Sequence, residues 1–343
     1  MSSASSQRIP VAIAVTVTVL GTLTYLSVLP ALRKGPGPVG KRLRKTRLEK
    51  PLPEGLKRIF IDGPHGGKLE LLTNSNEGAQ DEGKAPLLLV HGGMGSARCY
   101  DRWAAYFAST QRNVYCISLS GHGHSYRPDN FNSITTAELA QDILSAIKHI
   151  KAIHPTSPAP VLIGHSAGGG QSQFTVETSP PNTFSGLILL TPFPCTGGLP
   201  VYFSWLSFDW LFFPRFFWQG ADSMSPLSSP ALVKRAFFSD AYKDEDVEEF
   251  FKQMNSEESA GWPGSMMGKF ADSEAIKANV SGKVHIISAS HDRLMAPPIM
   301  NKLVELYGCS RDIVQDSGHH IMFDYKWKEA ARLAEAKLQA WGL

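Results

Sequence analysis

The sequence Gly-His-Ser-Ala-Gly at residues 164–168 is the stretch of this chain best suited to nucleophilic chemistry. An apolar run at 161–163 precedes it and further glycines follow, so we expect a buried strand, a tight turn and a helix. Such a turn lifts the hydroxyl of Ser166 above the edge of a sheet. Serine alone is a weak nucleophile, and the chemistry needs a base, an acid and an oxyanion hole elsewhere. Taken alone, the pentapeptide also fits a glycine-rich loop with an incidental serine.

Three other stretches offer the missing groups, and each follows an apolar run that predicts a strand. The sequence His-Gly-Gly-Met-Gly-Ser at 91–96 exposes backbone N–H groups where a substrate oxygen could sit. Asp292 comes shortly after the run at 284–288, and Gly318-His319 comes after the run at 312–314. The order along the chain is therefore nucleophile, acid, histidine.

Together these four motifs and their order resemble the α/β-hydrolase superfamily, from about residue 56 to the C-terminus. The resemblance implies a triad in which Ser166 attacks an acyl carbon, His319 moves the proton and Asp292 orients the imidazole. It also implies an α/β fold: a mainly parallel eight-stranded sheet flanked by helices, with a helical cap inserted after strand 6. No cofactor or metal is expected for this chemistry.

The N–H groups of Ala167 and Gly93 are the expected oxyanion hole, and Met94 replaces Gly93 if the loop is shifted by one residue. His320 is the rival to His319, but the resemblance matches the histidine directly after glycine. Asp316 is expected to be a turn residue rather than the acid.

Strands that alternate with helices predict a core at residues 56–192 and 272–343. The alternation pauses at 193–271, which we interpret as a helical cap. Ten of the seventeen residues at 202–218 are aromatic. They either form the walls of an apolar substrate pocket or rest in a membrane interface, and ordinary packing accounts for many of them. The candidates for the pocket are His91, His165, Trp205, Trp210 and Phe213, although a histidine at position 165 is usually a packing residue.

The stretch 9–32 contains 24 residues without a charge. As a helix it would span roughly 36 Å, enough to cross a hydrocarbon core of about 30 Å. We predict a transmembrane helix rather than a cleaved signal peptide, because the apolar stretch is long and no good cleavage site follows. Basic residues follow the span, so the positive-inside rule places the catalytic body in the cytosol. Residues 33–55 are rich in basic residues, proline and glycine and predict a stiff linker.

The charge of the chain is unevenly distributed. The chain has 343 residues and a net charge of +3, but residues 1–58 hold eleven of its 34 Lys and Arg and two of its 31 acidic residues. The remainder therefore carries a charge of about −6, and a basic run beside an apolar segment indicates a membrane rather than a nucleic acid as the partner. The four cysteines are widely spaced and show no zinc-binding pattern, so we expect buried thiols, with one disulfide left open.

The triad, the aromatic cap and the apolar N-terminus together predict a membrane-anchored serine hydrolase, most simply a carboxylic ester hydrolase, that acts on an ester or thioester of an apolar compound. One alternative is a biosynthetic hydrolase or cyclase of secondary metabolism, because the cap sequences at 224–228 and 235–238 look similar to capped hydrolases of fungal polyketide-type pathways. A second alternative, of another class, is a non-catalytic ligand-binding member of the fold. The sequence leaves the oligomeric state and the substrate's chain length open.

Overall fold

The computed structural model describes residues 35–46, 48–75 and 83–343. Within these ranges no helix is both long and apolar enough to span a bilayer. The predicted membrane segment at 9–32 lies outside the described residues and stays a prediction.

A single sheet of eight strands forms the centre of the fold, as the sequence predicted. The strands are β1 (Lys57–Asp62), β2 (Lys68–Thr73), β3 (Leu87–Val90), β4 (Val114–Ile117), β5 (Val161–His165), β6 (Gly186–Leu190), β7 (Val284–Ala289) and β8 (Arg311–Val314). They lie side by side in the order β1-β2-β4-β3-β5-β6-β7-β8. β1 and β2 form a hairpin that pairs antiparallel with β4, and strands β3 to β8 are mutually parallel.

Twelve α-helices occur in the described ranges, and those of the core cover both faces of the sheet. They are α1 (Pro38–Thr46), α2 (Asp101–Ser109), α3 (Thr136–Ile153), α4 (Ser166–Thr178), α5 (Leu199–Phe208), α6 (Phe212–Trp218), α7 (Pro230–Phe237), α8 (Asp244–Gln253), α9 (Gly261–Ser265), α10 (Ser273–Asn279), α11 (Pro297–Tyr307) and α12 (Trp327–Ala340). Helices α2 and α12 pack on one face, whereas α3, α4, α10 and α11 contribute to the core on the other.

The apolar runs of the central strands are buried on both sides because successive side chains point to opposite faces. Leu88 and Val90 of β3 join the core beneath α3 and α4, and Leu87 and Leu89 join the core beneath α2 and α12. This arrangement fixes the register of the sheet. It also brings the carboxyl ends of the parallel strands to one edge, where the loops that carry the predicted site begin.

Residues 193–271, the predicted cap, form the helices α5 to α9 and contain no strand. The predicted linker, in contrast, is partly helical. Helix α1 buries Val39 and Leu43, which lie four residues apart on one face, and the Val39 N–H donates to Asp222 Oδ2 of the cap at 2.9 Å. The Arg42 guanidinium donates to the carbonyl of Ser228 at 2.7 Å. The stiff-linker prediction is therefore wrong for residues 38–46, because this stretch forms a helix that buries two apolar side chains and hydrogen-bonds to the cap.

All four cysteines are free thiols. Cys99, Cys116 and Cys195 are buried and Cys309 is partly buried. The disulfide that the sequence left open is therefore not formed in this structure.

Candidate active site

Ser166 occupies a strained turn between β5 and α4. Its φ is +52°, in the left-handed region that residues other than glycine rarely adopt. The flanking glycines are required by close packing. A Cβ on Gly168 would lie 2.1 Å from the carbonyl oxygen of His91, and one on Gly164 would lie 2.3 Å from Ser172 Oγ. The small residues thus let α4 pack closely against β3 and β5 while the serine stands above the sheet edge.

The three side chains predicted as a triad lie within hydrogen-bond distance of one another. His319 Nε2 is 2.8 Å from Ser166 Oγ, and His319 Nδ1 is 2.8 Å from Asp292 Oδ2. Asp292 is held in turn by the N–H groups of Leu294 and Met295, which donate to its Oδ1 at 2.8 and 2.9 Å. A carboxylate on Nδ1 keeps the proton there, so Nε2 is free to accept the serine proton.

The rival residues occupy other places. Asp316 is exposed, 4.0 Å from the side chain of His291. The side chain of His320 packs between Phe237 and Phe250, and burial lowers the pKa of His320 to about 3. A neutral imidazole in an aromatic cluster supports the fold and does not reach Ser166.

Two of the predicted pocket residues, His165 and His91, do not line the pocket over Ser166. Their side chains are buried beneath the loops that follow β3 and β5. His165 Nε2 donates to the carbonyl of His319 at 3.1 Å, and burial, reinforced by neighbouring histidines, holds the pKa of His165 well below its usual range. His91 Nδ1 donates to the carbonyl of Gly92 at 2.7 Å, and His91 Nε2 accepts the N–H of Leu119 at 3.1 Å. Both side chains fill buried space and position backbone, which corrects the pocket prediction.

The structure separates the two candidates for the second oxyanion donor. The Met94 N–H already donates to a carboxylate oxygen of Glu258. The N–H groups of Gly93 and Ala167 donate to no group among the described residues. Of the predicted oxyanion donors, Gly93 and Ala167 are therefore those whose N–H groups have no acceptor in the described part of the chain.

Glu258 is the site residue that sequence reasoning missed. It is only 5% exposed, lines the same pocket as Ser166 and accepts hydrogen bonds from the N–H groups of Met94 and Ser259. The sequence gives no signal for this position, because the polar run Asn-Ser-Glu-Glu-Ser at 255–259 is typical of a solvated loop. In the fold all five of these residues are buried.

His122 pairs with Glu258 and shares its buried position. His122 Nε2 lies 3.2 Å from Glu258 Oε1, and Nδ1 lies 3.1 Å from the carbonyl of Ser120. Both partners are acceptors, which only a doubly protonated imidazole satisfies. Burial works against this charge, but the attraction and hydrogen bond of Glu258 outweigh it, and the pKa of His122 is raised. The pair lies buried beside residues 91–96, the loop that carries the predicted oxyanion donor Gly93.

The pocket over Ser166 has a volume of about 110 Å³, and Trp205 is one of its walls. A second cavity of about 250 Å³ adjoins it, shares Trp205 and Glu258 with it, and is lined by Phe213. Trp210 lines neither cavity and is 77% exposed, which corrects the pocket prediction for that residue. Two wider clefts of about 700 Å³ contain no residue of the predicted triad.

Among the described residues, no group of three or more His, Cys, Asp or Glu side chains is placed to hold a metal ion. The histidines near Ser166 instead contact backbone carbonyls, aromatic rings or single carboxylates.

Comparison with known proteins shows where this geometry belongs. The sequence model of the alpha/beta hydrolase family matches residues 87–336, which includes every residue of the predicted triad. A curated relative, the proline iminopeptidase of Clostridioides difficile (strain 630), is 32% identical over 120 residues, which covers 33% of this chain and 38% of that protein. The chain thus spans well under half the length of this relative.

Solved structures share the fold at low sequence identity. A carboxylesterase structure from Nitrososphaera gargenis covers 83% of this chain and 99% of its own, with a TM-score of 0.62 at 17% identity. An esterase structure from Thermogutta terrifontis covers 83% of this chain and 99% of its own, with a TM-score of 0.56 at 16% identity. The structure of a membrane phospholipase A, described as a bacterial virulence factor, covers 98% of this chain and 99% of its own, with a TM-score of 0.57 at 14% identity. From the family match and the fold together, the chain belongs to the alpha/beta hydrolase family.

Proposed function

We propose that this hydrolase is a serine esterase that cleaves an ester or thioester of an apolar compound through Ser166, His319 and Asp292. The observation that carries the proposal is the continuous hydrogen-bond chain from Asp292 through His319 to Ser166, which opens into an almost wholly apolar pocket. An apolar wall with few polar groups favours a hydrocarbon acyl or alcohol group over a sugar or a charged metabolite.

The proposed reaction has two stages, acylation of Ser166 and hydrolysis of the acyl-enzyme. Ser166 Oγ attacks the acyl carbon while its proton passes to His319 Nε2, and the N–H groups of Gly93 and Ala167 stabilise the oxyanion. His319 then protonates the departing alcohol or thiol, and the acyl group remains on Ser166. A water molecule gives its proton to His319, attacks the acyl-enzyme and releases the acid, after which the proton returns to Ser166.

The proposal is tested by labelling and turnover together. A fluorophosphonate probe is expected to label the wild type at Ser166 and not the Ser166→Ala variant. Acyl esters of graded length, assayed with both proteins, are expected to be hydrolysed by the wild type alone, with longer chains preferred over acetate. A folded wild type that neither reacts with the probe nor hydrolyses any ester would contradict the proposal and favour the non-catalytic alternative.

A peptide bond is a second candidate for cleavage, and Glu258 is the observation that favours it. The curated relative is a peptidase, and a buried carboxylate in an apolar pocket suits a substrate with a cationic amino group. Prolyl p-nitroanilide in the same panel separates the two candidates. Hydrolysis of this amide faster than that of the esters would replace the esterase proposal.

We also propose that residues 9–32 anchor the protein in a membrane with its body on the cytosolic side. The length of the uncharged stretch and the basic residues that follow it support this topology. In sealed microsomes, added protease is expected to digest the body without detergent. Full protection of the body until detergent is added would reverse the topology.

A further inference from the structure

The helices α5 and α6 of the cap expose an unusually apolar surface, which we call the aromatic face. Its members are large apolar side chains that are 42–92% exposed: Leu199, Phe203, Trp210, Leu211, Phe213 and Trp218. Eight of the ten residues of helix α5 are apolar or aromatic, although Val201 is the one residue of this helix that is fully buried. A helix of this kind is normally enclosed by protein or by lipid.

The charge of this surface points to lipid rather than water. Between residues 199 and 218 the charged side chains are Asp209 and Arg215, and they form an ion pair with each other. Asp209 is buried, and the Arg215 side chain is only 18% exposed. The aromatic face therefore presents no unpaired charge, and tryptophan is the residue type that membrane interfaces favour.

The N-terminal chain holds the cap close to the proposed membrane anchor. Helix α1 begins six residues after the apolar stretch 9–32 ends, a distance of at most roughly 20 Å. Helix α1 is bound to the cap at Asp222 and Ser228, and Asp222 is four residues beyond Trp218. If residues 9–32 enter a bilayer, the cap must lie within that reach of its surface.

Helix α1 also carries charge that complements a lipid surface. Lys41 and Lys45 are exposed to solvent, whereas Arg42 and Arg44, also exposed in part, bond back to Ser228 and Glu257 of the cap. Basic residues beside an apolar surface attract anionic headgroups. The exposed aromatic face and the exposed basic helix therefore offer the two kinds of group that an anionic bilayer interface binds.

We propose that the aromatic face rests in the headgroup region of a bilayer, as a second membrane contact beside the anchor. Phe213 is 42% exposed on this face and also lines the cavity that adjoins the pocket of Ser166. An apolar substrate can thus pass from the lipid to Ser166 through the two adjoining cavities. This last step rests on the proposed hydrolase function, whereas the lipid contact does not.

The contact is tested on the full chain reconstituted in phosphatidylcholine vesicles with one fifth phosphatidylserine. Phosphatidylcholine with a doxyl group near the headgroup is expected to quench part of the tryptophan fluorescence. The Trp210→Phe/Trp218→Phe variant is expected to lose that quenched component, whereas Trp327→Phe/Trp341→Phe, on the helix at the opposite end of the chain, keeps it. Equal quenching of both variants would overturn the proposal. Protection of Trp218 from iodide without quenching by lipid would also overturn it, because a protein partner would then cover the aromatic face.

Activity provides the second measurement. The Phe203→Ser/Trp210→Ser/Trp218→Ser variant is expected to hydrolyse a vesicle-embedded ester roughly tenfold more slowly, because each large apolar side chain contributes to partition into lipid. Its rate on a water-soluble short ester should stay within about twofold of the wild type, since none of the three residues lines the cavities. The Phe60→Ser/Tyr325→Ser variant, which removes two exposed aromatic residues outside the cap, controls for surface apolarity in general.

A fall in the two rates together would assign these residues to the pocket or to folding and overturn the proposal. Inactivity of the wild type on both esters would contradict the proposed function alone, because fluorescence quenching still reports the lipid contact.

Discussion

Removal of the Glu258 carboxylate is expected to slow the chemical step without weakening substrate binding. The carboxylate accepts hydrogen bonds from the Met94 N–H, the Ser259 N–H and His122, and a hydrogen bond to a charged group contributes about 1.5–3 kcal/mol. The bond to Met94 fixes the peptide that follows Gly93, the expected oxyanion donor. Glu258→Ala frees this loop, and complete loss of one oxyanion donor costs roughly 10²–10³ in rate.

We therefore expect kcat to fall about 100-fold in Glu258→Ala and about tenfold in Glu258→Gln. The amide keeps the shape and one acceptor, but its NH₂ group cannot accept the second backbone N–H. KM should change less than about threefold, because the apolar walls of the pocket are untouched. The measurement is a Michaelis–Menten comparison on a soluble ester, with circular dichroism to verify folding.

His122 gives this prediction an independent spectroscopic signature. Its pKa is raised by Glu258 against the effect of burial, so Glu258→Gln should bring the pKa of His122 below its usual value, measured by NMR titration. The raised pKa stabilises the wild type fully below about pH 6.5, and this contribution is lost as the pH rises through the folded-state pKa.

Glu257→Gln is the matched control for both measurements. The neighbouring Glu257 carboxylate accepts hydrogen bonds from Arg44 and Arg127 and none from the backbone of residues 91–96. Glu258→Ala with an unchanged kcat, or Glu257→Gln with an equal loss, would refute the reasoning.

Three further predictions concern packing and buried charge. Gly168→Ala should abolish activity and lower yield, because its Cβ would lie 2.1 Å from the His91 carbonyl oxygen; probe labelling and soluble yield measure this. Burial raises the pKa of Asp142 to about 7. The free energy of unfolding of the wild type should therefore fall as the pH rises from about 4 to 7, because the unfolded chain loses this proton first. Relative to the wild type, Asp142→Asn should become more stable across that window, by at most about 4 kcal/mol in chemical unfolding. Arg112→Met should lower the free energy of unfolding by about 3–5 kcal/mol in the same assay, because it leaves the Glu335 carboxylate buried without its ion-pair partner. The variant should leave kcat unchanged, because Arg112 lies at the amino end of β4, away from the triad.

Each of the three has its own contrary outcome. Gly268→Ala, at a position with open space around it, is the control for Gly168→Ala, and equal activity of the two variants would contradict the packing argument. A stability difference between Asp142→Asn and wild type that does not change with pH would show that the buried carboxyl keeps an ordinary pKa. A fall in kcat for folded Arg112→Met would show that the ion pair influences the site.

The sheet and the order of the triad residues could be predicted from the sequence because both depend on local pattern. Short apolar runs predict the strands of the sheet, and each motif follows such a run within a few residues. Ser166, Asp292 and His319 therefore reach one edge of the sheet by connectivity alone. No long-range contact has to be known in advance.

The remainder depends on contacts between residues far apart in the chain. Glu258 lies in a run that is locally polar, and its burial results from packing against Met94 and His122, more than 130 positions away in sequence. Helix α1 begins at the last residue of a Gly-Pro-Gly-Pro sequence that favours an extended chain, yet Val39 and Leu43 are buried in the core. The exposure of Trp210 could not be predicted either, because an aromatic residue suits a pocket, a core and a membrane equally well.

The left-handed backbone at Ser166 has a consequence for the descent of this protein. Folding alone would favour glycine or asparagine at such a position, since these residues adopt positive φ with less strain. In a gene copy released from selection for hydrolysis, position 166 would therefore drift towards those residues while the surrounding glycines, which packing requires, stay in place. The identity of this one residue would then distinguish descendants that still catalyse from those that retain only the fold.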